Sequence, residues 1–389
     1  MSYLVVTREF PPQDGGIANV AFEMAKHLSR RGTPVHVLTW NYRRDEWPEN
    51  FRDEDQPFRI TRIPKPSRRL LQVLILFWAA LGIARKRGVK RMIATTWNFS
   101  GVAAALLSLC LGIPFIILTY GYDVSPAALT AGDKALMRFA FSRAGKVFAS
   151  SRHTVKLILR SGADPEKVQF LPLGVDLKRF DSPDSGAAVR KKFGLEGKKV
   201  LLTVARLFPR KGHRQVLLAM PEILAKVPDL FYLIAGLGPE KEALEKKIAE
   251  LGLEDRVAFA GYVPNDALPA YYAACDAFIL PNKEITDPRD PWVGNFEGFG
   301  IVFIEAAAAG KPVIAGRSGG APDAVLENVT GLLVNPDDVR EIAETAALLL
   351  TDEALAKKLG EGGRLRAQRE LDWPVLWTRY EKAFESPQA

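Results

Sequence analysis

Short apolar runs alternate along this chain with longer segments whose apolar positions recur every three or four residues. YLVVT at 3–7 reads as a buried strand, and the Pro- and Gly-rich loop FPPQDGG leads from it into IANVAFEMAKHLSRRG. That segment has helical spacing and ends before Gly32, and PVHVLTW is the next strand. MIATTW, FIILTY, KVFASS and VQFLPLG carry the alternation through the first half. A comparable order restarts at KKVLLTVAR, with YLIAG, VAFAG, AFILP, PVIAG and GLLV as strands and EKEALEKKIAEL and VREIAETAALLL as helices. Strands separated by helix-length connectors predict mainly parallel sheets covered on both faces.

A chain of 389 residues exceeds one ordinary core. The expected fold class is α/β, with two Rossmann-like, doubly wound domains facing a cleft. The predicted organisation is a first domain over 1–175, a polar linker over 176–193, a second domain over 194–369, and a terminal helix in 370–389 that crosses back to the first domain. WPVLWTRYEKAF supplies that helix. No low-complexity tract or short-period repeat intervenes.

Composition narrows the chemistry. Only Cys110 and Cys275 occur, each in an apolar stretch, which argues against a disulfide framework or a cysteine zinc site and fits a reducing, cytoplasmic setting. His27, His36, His153 and His213 show no metal-ligand spacing, and MSYLVVTREFPP does not read as a targeting segment. The formal charge of +8 is uneven. Residues 1–180 carry 27 Lys and Arg against 14 Asp and Glu, and the remaining 209 residues carry 26 against 31. The basic half predicts an anionic partner for that half alone. Much of its excess flanks LLQVLILFWAALGIA at 70–84: Lys65, Arg68 and Arg69 precede it, and Arg85, Lys86, Arg87, Lys90 and Arg91 follow. Fifteen residues are short for a bilayer span, so the 65–91 region reads either as a helix on an anionic membrane surface or as a buried helix with solvated basic ends. Nucleic acid is not an expected partner, because no base-stacking or groove-reading motif interleaves these charges.

Candidate chemistry appears in both halves. Gly15 and Gly16 end a strand-to-helix loop and can admit a phosphate to backbone amides, or form a mere flexible turn. Neither GxGxxG nor GxxxxGK[ST] is present, which tells against a routine NAD enzyme or P-loop NTPase. In VARLFPRKG, Arg206 follows a strand and Lys211 a short loop; the pair can clamp a diphosphate, Arg as a fork and Lys as a mobile point charge, or be a solvated basic loop. Glu297 and Glu305 lie eight residues apart in EGFGIVFIEA. With Gly298 to Gly300 as a turn and a helix from Ile301, Glu297 sits in the loop and Glu305 one turn inside, beside amides that favour an anion. The alternative is a solvated loop acid and a helix-surface acid. Cations early in the domain and hydroxyl-binding acids late in it together describe a nucleotide sugar. Asp287 and Asp290 in TDPRDP read as a polar turn rather than a metal site.

Arg206 with Lys211, followed by EGFGIVFIEAAAAGKPVIAGRSGG, resembles the retaining GT-B glycosyltransferases of the GT4 family. FPPQDGGIANV, LPLGVDLKRF and WPVLWTRYEKAF extend the likeness over the whole chain. Its flavour is similar to the bacterial phosphatidylinositol-mannoside mannosyltransferases. The resemblance implies a metal-independent hexosyltransferase that needs no cofactor. Its donor substrate is a nucleotide sugar, GDP-mannose first and UDP-hexose second, and its acceptor is lipid-linked or amphipathic at the inner face of the cell membrane. It implies Arg206 and Lys211 on the diphosphate, and Glu297 on hexose hydroxyls. Gly298, Phe299, Gly300 and Ile301 act through backbone donors, and Glu305 on the ribose. Val263 and Pro264 lie beside the base, and Gly15 and Gly16 beside the leaving phosphate and acceptor. Related enzymes often have THG, a residue and an acid where this chain has Thr119, Tyr120, Gly121, Tyr122 and Asp123. Tyr120 can donate a hydrogen bond, but an ordinary pKa near 10 makes it a poor base. Asp123 orients hydroxyls or caps a loop. A nucleotide-sugar epimerase and a non-catalytic sugar-nucleotide scaffold are the competing functions, and oligomeric state stays open.

Overall fold

The computed structural model describes residues 2–13, 15–30, 32–41, 51–181, 186–290 and 292–385. Two compact units divide it: Met1–Leu173 with Trp377–Ala389, and Gly174–Leu376. The first holds a parallel sheet of β1 (Tyr3–Val6), β2 (Val35–Asn41), β3 (Arg59–Pro64), β4 (Arg91–Ala94), β5 (Phe115–Thr119), β6 (Lys146–Ala149) and β7 (Val168–Phe170), in the order β3-β2-β1-β4-β5-β6-β7. The second holds β8 (Lys199–Val204), β9 (Leu230–Ala235), β10 (Val257–Gly261), β11 (Ala277–Leu280), β12 (Val313–Gly316) and β13 (Gly331–Val334), ordered β10-β9-β8-β11-β12-β13. Every strand pairing in both sheets is parallel.

Burial explains the apolar runs. β1, β5, β9 and β11 are buried at every position, as strands covered on both faces must be. In each sheet the strand order reverses once, between β1 and β4 and between β8 and β11. Loops leaving the carboxyl ends of those strands splay apart there and leave room for a ligand. The loops after β8 and β11 carry Arg206, Lys211 and Glu297, and the loop after β1 carries Gly15.

Three features depart from the pattern read in the sequence. β3, RITRIP, lacks an apolar run because it is an edge strand with exposed ends, and Pro64 closes it where no partner needs an amide. Part of the predicted linker 176–193 is a helix, Gly186–Phe193, with Val189 buried. A Cβ at Gly186 would lie 2.9 Å from the backbone of Ala273 and Ala274, so this helix packs too tightly to be a polar spacer. Residues 182–185 of that stretch lie outside the described residues. The third concerns the helix Arg69–Arg87, whose buried side is Gln72, Leu76, Ala80, Leu81 and Ala84. Its outward stripe, Leu71, Leu74, Ile75 and Trp78 at i, i+3, i+4 and i+7, is the more apolar one, and Trp78 is 65% exposed.

The terminal helix Trp373–Glu385 spends its later turns in the first unit. There Trp377 stacks on His27 at 5.4 Å, Phe384 packs on Phe148 at 5.5 Å, and the Tyr380 hydroxyl donates to the Pro172 carbonyl at 2.8 Å. Residues 386–389 of the expected 370–389 element are outside the described residues.

Candidate active site

The second unit assembles its charged residues around Glu297. After β8 the chain turns through Pro209–Lys211 and enters the helix His213–Lys226 at Gly212, whose φ of +75° is left-handed. The Lys283 amide, just beyond β11, donates to the Arg210 carbonyl at 2.8 Å and ties the two loops together. His213 is buried, with Nε2 3.4 Å from the Arg206 carbonyl and Nδ1 3.4 Å from the Tyr232 hydroxyl. Burial lowers its pKa to about 4, so a neutral imidazole can donate from Nε2 to the Arg206 carbonyl. It thereby fixes the backbone from which Arg206 projects. The Arg206 guanidinium is exposed and lies 5.0 Å from the Phe208 ring centroid, a ring that meets Trp292 edge-on at 4.8 Å.

Glu297 is fixed from three sides. Phe296 and Phe299, both buried, anchor the chain before and after it. Its carbonyl accepts from the Gly320 amide at 2.7 Å, and a Cβ at Gly319 would come within 2.5 Å of that carbonyl oxygen. Its Oε2 accepts from Arg210 Nη1 at 3.1 Å and from Lys211 Nζ. Burial pushes the Glu297 carboxyl up, but Lys211 and Arg210 outweigh it and hold the group at about 2. Burial lowers Lys211 to about 8 despite Glu297, with Arg210 and Arg206 adding to the fall. Both trends have one source, a charge cluster withdrawn from water. Lys211 is therefore a buried, paired cation and not the mobile point charge that its loop position suggests.

Beyond Glu297 the helix Ile301–Ala308 begins at Gly300, whose φ is +89°, with no side-chain cap and no acid in its first turn. A Cβ at Gly300 would lie 3.4 Å from Glu297 Cγ, so the helix start stands beside that carboxylate, with the field at its amides that an anion prefers. Phe299 fills core, so only its backbone can serve a ligand. Glu305 lies one turn in, buried, and accepts from the Tyr272 hydroxyl at 2.9 Å. Burial raises its pKa, against the pull of Arg179 and the Tyr272 hydrogen bond. The helix-surface alternative for Glu305 is thereby excluded. Val263 and Pro264 follow β10; the Pro264 carbonyl receives the amides of Ala267 and Leu268. The adjacent Asn265 carbonyl accepts from Arg179, the cation that acts on Glu305. Asp287 and Asp290 are engaged locally. The former accepts from Arg289, and the latter accepts from the Trp292 amide at 2.7 Å. Among the described residues no group of three or more His, Cys, Asp or Glu side chains is placed to hold a metal ion.

In the first unit, Gly15 precedes the helix Gly16–Ser29, and a Cβ at Gly15 would lie 3.5 Å from Glu9 Oε2. Beyond β5, Asp123 Oδ1 accepts from the amides of Tyr120 and Gly121 at 3.0 and 2.9 Å. Its Oδ2 and the Tyr120 hydroxyl are buried, with no hydrogen-bond partner among the described residues. Burial raises Asp123 to about 6, partly offset by those backbone donors. It also raises Tyr120, with Tyr380, Asp123 and Glu9 adding to the effect, so the phenol stays neutral. Asp123 therefore caps its loop with one oxygen and keeps the other available.

Two residues escaped the sequence reading. Arg210 shares Glu297 with Lys211, and Arg179 acts on Glu305. The signal for Arg210 was present, since two consecutive cations in PRKG precede a helix start. Arg179, more than a hundred residues before Glu305, left no local sign.

The family described as glycosyl transferases group 1 matches residues 187–366, and the glycosyl transferase 4-like domain matches 15–174. The chain is 32% identical over 384 residues, 97% of its length and 96% of the relative's, to a GDP-mannose-dependent alpha-(1-6)-phosphatidylinositol monomannoside mannosyltransferase of Mycolicibacterium smegmatis. The chain belongs to the GT4 family of glycosyltransferases. A D-inositol 3-phosphate glycosyltransferase of Acidothermus cellulolyticus is 31% identical to this glycosyltransferase, with 91% of the chain and 82% of that protein covered. The crystal structure of Anabaena Alr3699/HepE in complex with UDP matches it with a TM-score of 0.83 at 22% identity, each chain fully covered, which shows the GT-B fold. As a GT4 member it is a hexosyltransferase acting on a nucleotide-sugar donor, which favours neither the epimerase nor the scaffold reading.

Proposed function

We propose that this glycosyltransferase moves mannose from GDP-mannose to a hydroxyl of a lipid-linked acceptor, with retention at the anomeric carbon. The observation that carries the reading is the Glu297 cluster: two cations and a helix start gathered on one buried carboxylate after β8 and β11. The GDP-mannose dependence of the Mycolicibacterium relative supports mannose and guanosine over other donors. Arg206 and Lys211 take the diphosphate, assisted by backbone donors at Gly298, Phe299, Gly300 and Ile301. Glu297 accepts from hexose hydroxyls, Glu305 from the ribose, and the backbone at Val263 and Pro264 lies along the base. Gly15 and Gly16 admit the leaving phosphate and the acceptor, whose hydroxyls meet Asp123 Oδ2 and the Tyr120 phenol. The bond from the anomeric carbon to the phosphate oxygen breaks, the acceptor oxygen bonds on the same face, and its proton passes to the departing phosphate. No protein nucleophile is needed. The work of the side chains is orientation and stabilisation of the charge that develops on the diphosphate, a task these cations perform without a metal.

The test is incubation of the purified protein with GDP-mannose and, separately, UDP-hexoses, each with a membrane-lipid extract. Mass spectrometry should find a lipid heavier by one hexose with GDP-mannose. Product with a UDP-sugar alone would reassign the donor, and GDP release without a glycosylated lipid would remove the acceptor.

Membrane attachment belongs to the same proposal. No described helix is long and apolar enough to cross a membrane. The outward stripe Leu71, Leu74, Ile75 and Trp78, with Arg68 and Arg69 before it and Arg85, Lys86 and Arg87 after it, suits a helix lying in the interface on the inner face of the membrane. Leu74→Asp with Trp78→Asp should weaken sedimentation with phosphatidylglycerol vesicles about tenfold or more, given the apolar area lost from the interface. If neutral vesicles bind the parent as strongly and salt changes neither, the electrostatic part is wrong.

A further inference from the structure

Arg210 and Lys211 are not waiting empty for an anion. Both donate to the same oxygen of Glu297, and all three side chains are largely withdrawn from water, with 14%, 10% and 13% of their surface exposed. A diphosphate entering beside this carboxylate meets two cations already engaged and one fixed negative charge. Since a buried charge that loses its partner is strongly disfavoured, the three groups must re-pair when an anion arrives. We infer that Glu297 is the diphosphate's place-holder: it occupies Arg210 and Lys211 in the empty site, cedes them to the incoming diphosphate, and turns to the hexose hydroxyls. This rests on the donor-site reading above and assigns Arg210 to it as a third diphosphate cation.

The exchange has a direction built in. With the intact donor bound, hexose hydroxyls compensate Glu297 for the cations it gave up. After transfer the hexose is gone, and Glu297 again faces a nucleoside diphosphate with no hydroxyl to accept from. It then competes for Arg210 and Lys211 and favours product release. His213 and the Lys283 amide hold the backbones of Arg206 and Arg210, so only side chains need move. Lys211 keeps its charge through the exchange because one anion replaces another.

The test compares GDP and GDP-mannose binding by titration calorimetry at pH 6, below the value of about 8 to which burial lowers Lys211 in the parent. Parent, Glu297→Gln and Arg210→Gln proteins are used. Glu297→Gln should bind GDP about tenfold more tightly than the parent, the worth of a charged hydrogen bond no longer contested, and GDP-mannose no more tightly. Arg210→Gln should bind GDP about tenfold more weakly, with a shallower salt dependence. GDP binding equal to or weaker than the parent's in Glu297→Gln overturns the place-holder. If that variant does not fold, unchanged GDP affinity in Arg210→Gln overturns the exchange by itself. If neither GDP nor UDP binds any of the proteins, the donor-site reading fails, which is a separate result.

Discussion

Glu297→Gln is expected to lower turnover about 10²- to 10³-fold, the range seen when one preorganised electrostatic contact to a reacting group is removed. The carboxylate is proposed to hold the transferred hexose, so its loss removes orientation at the reacting carbon rather than general affinity for the donor. A fall in kcat larger than any rise in KM for GDP-mannose is the signature. Arg68→Ala, at an exposed position in the basic flank, should retain turnover on a detergent-dispersed acceptor. Equal turnover in Glu297→Gln and the parent would sink the assignment. The same substitution strips a buried lysine of its counter-ion, with an expected stability loss of about 3 kcal/mol near neutral pH. The pH dependence has a definite sign. The Glu297 carboxyl falls from an ordinary 4.5 to about 2 in the folded protein, so its stabilisation is complete above about 4.5 and is lost as pH falls through about 2. Urea unfolding of parent and variant should differ most at neutral pH and converge towards pH 2.

Much of this arrangement was legible because burial leaves a mark on composition. Strands with both faces covered must be apolar throughout, and FIILT and AFIL declare themselves. Edge strands carry no such obligation, which is why the charged RITRIP passed unread. Glu305 stands among apolar residues in IVFIEAAAA, so an acid there has no polar face to occupy and its burial was open to inference. Glu297 between Phe296 and Phe299 carried a weaker version of that signal. What local sequence does not encode is which cation meets which acid. Arg210 and Lys211 reach Glu297 from more than eighty residues away because β8 and β11 are adjacent in the sheet, and adjacency follows from strand order. The outward direction of the stripe on Arg69–Arg87 is equally a product of packing. The run at 70–84 is apolar on nearly every side, and only the fold selects the face that Gln72 and the alanines cover.

Gly212→Ala is expected to cost about 3 kcal/mol of stability or more, because left-handed strain and steric overlap act together. The residue adopts φ +75°, and a Cβ there would stand 2.2 Å from the Pro281 carbonyl oxygen. That oxygen belongs to the backbone leaving β11 and cannot swing aside like a side chain. Either the turn Pro209–Lys211 or the loop from Pro281 must retreat, and the Lys283 amide bond to the Arg210 carbonyl lies between them. Parting these loops draws Arg210 and Lys211 away from Glu297. A displacement of about 1 Å at positioned groups can cost roughly 10²-fold in rate, so turnover should fall at least tenfold even in protein that remains folded. Gly252→Ala separates the two causes. Gly252 has φ +64° with nothing within 4 Å of its missing Cβ, so an alanine there bears only the backbone strain, about 1 kcal/mol, and keeps turnover. Equal losses at both glycines, in urea unfolding and in rate, would mean that the close approach of β11's exit to Gly212 does not hold the cation turn in place. Loss of activity at Gly212 alone ties the charge cluster directly to the parallel adjacency of β8 and β11, the feature from which the proposed donor site is built.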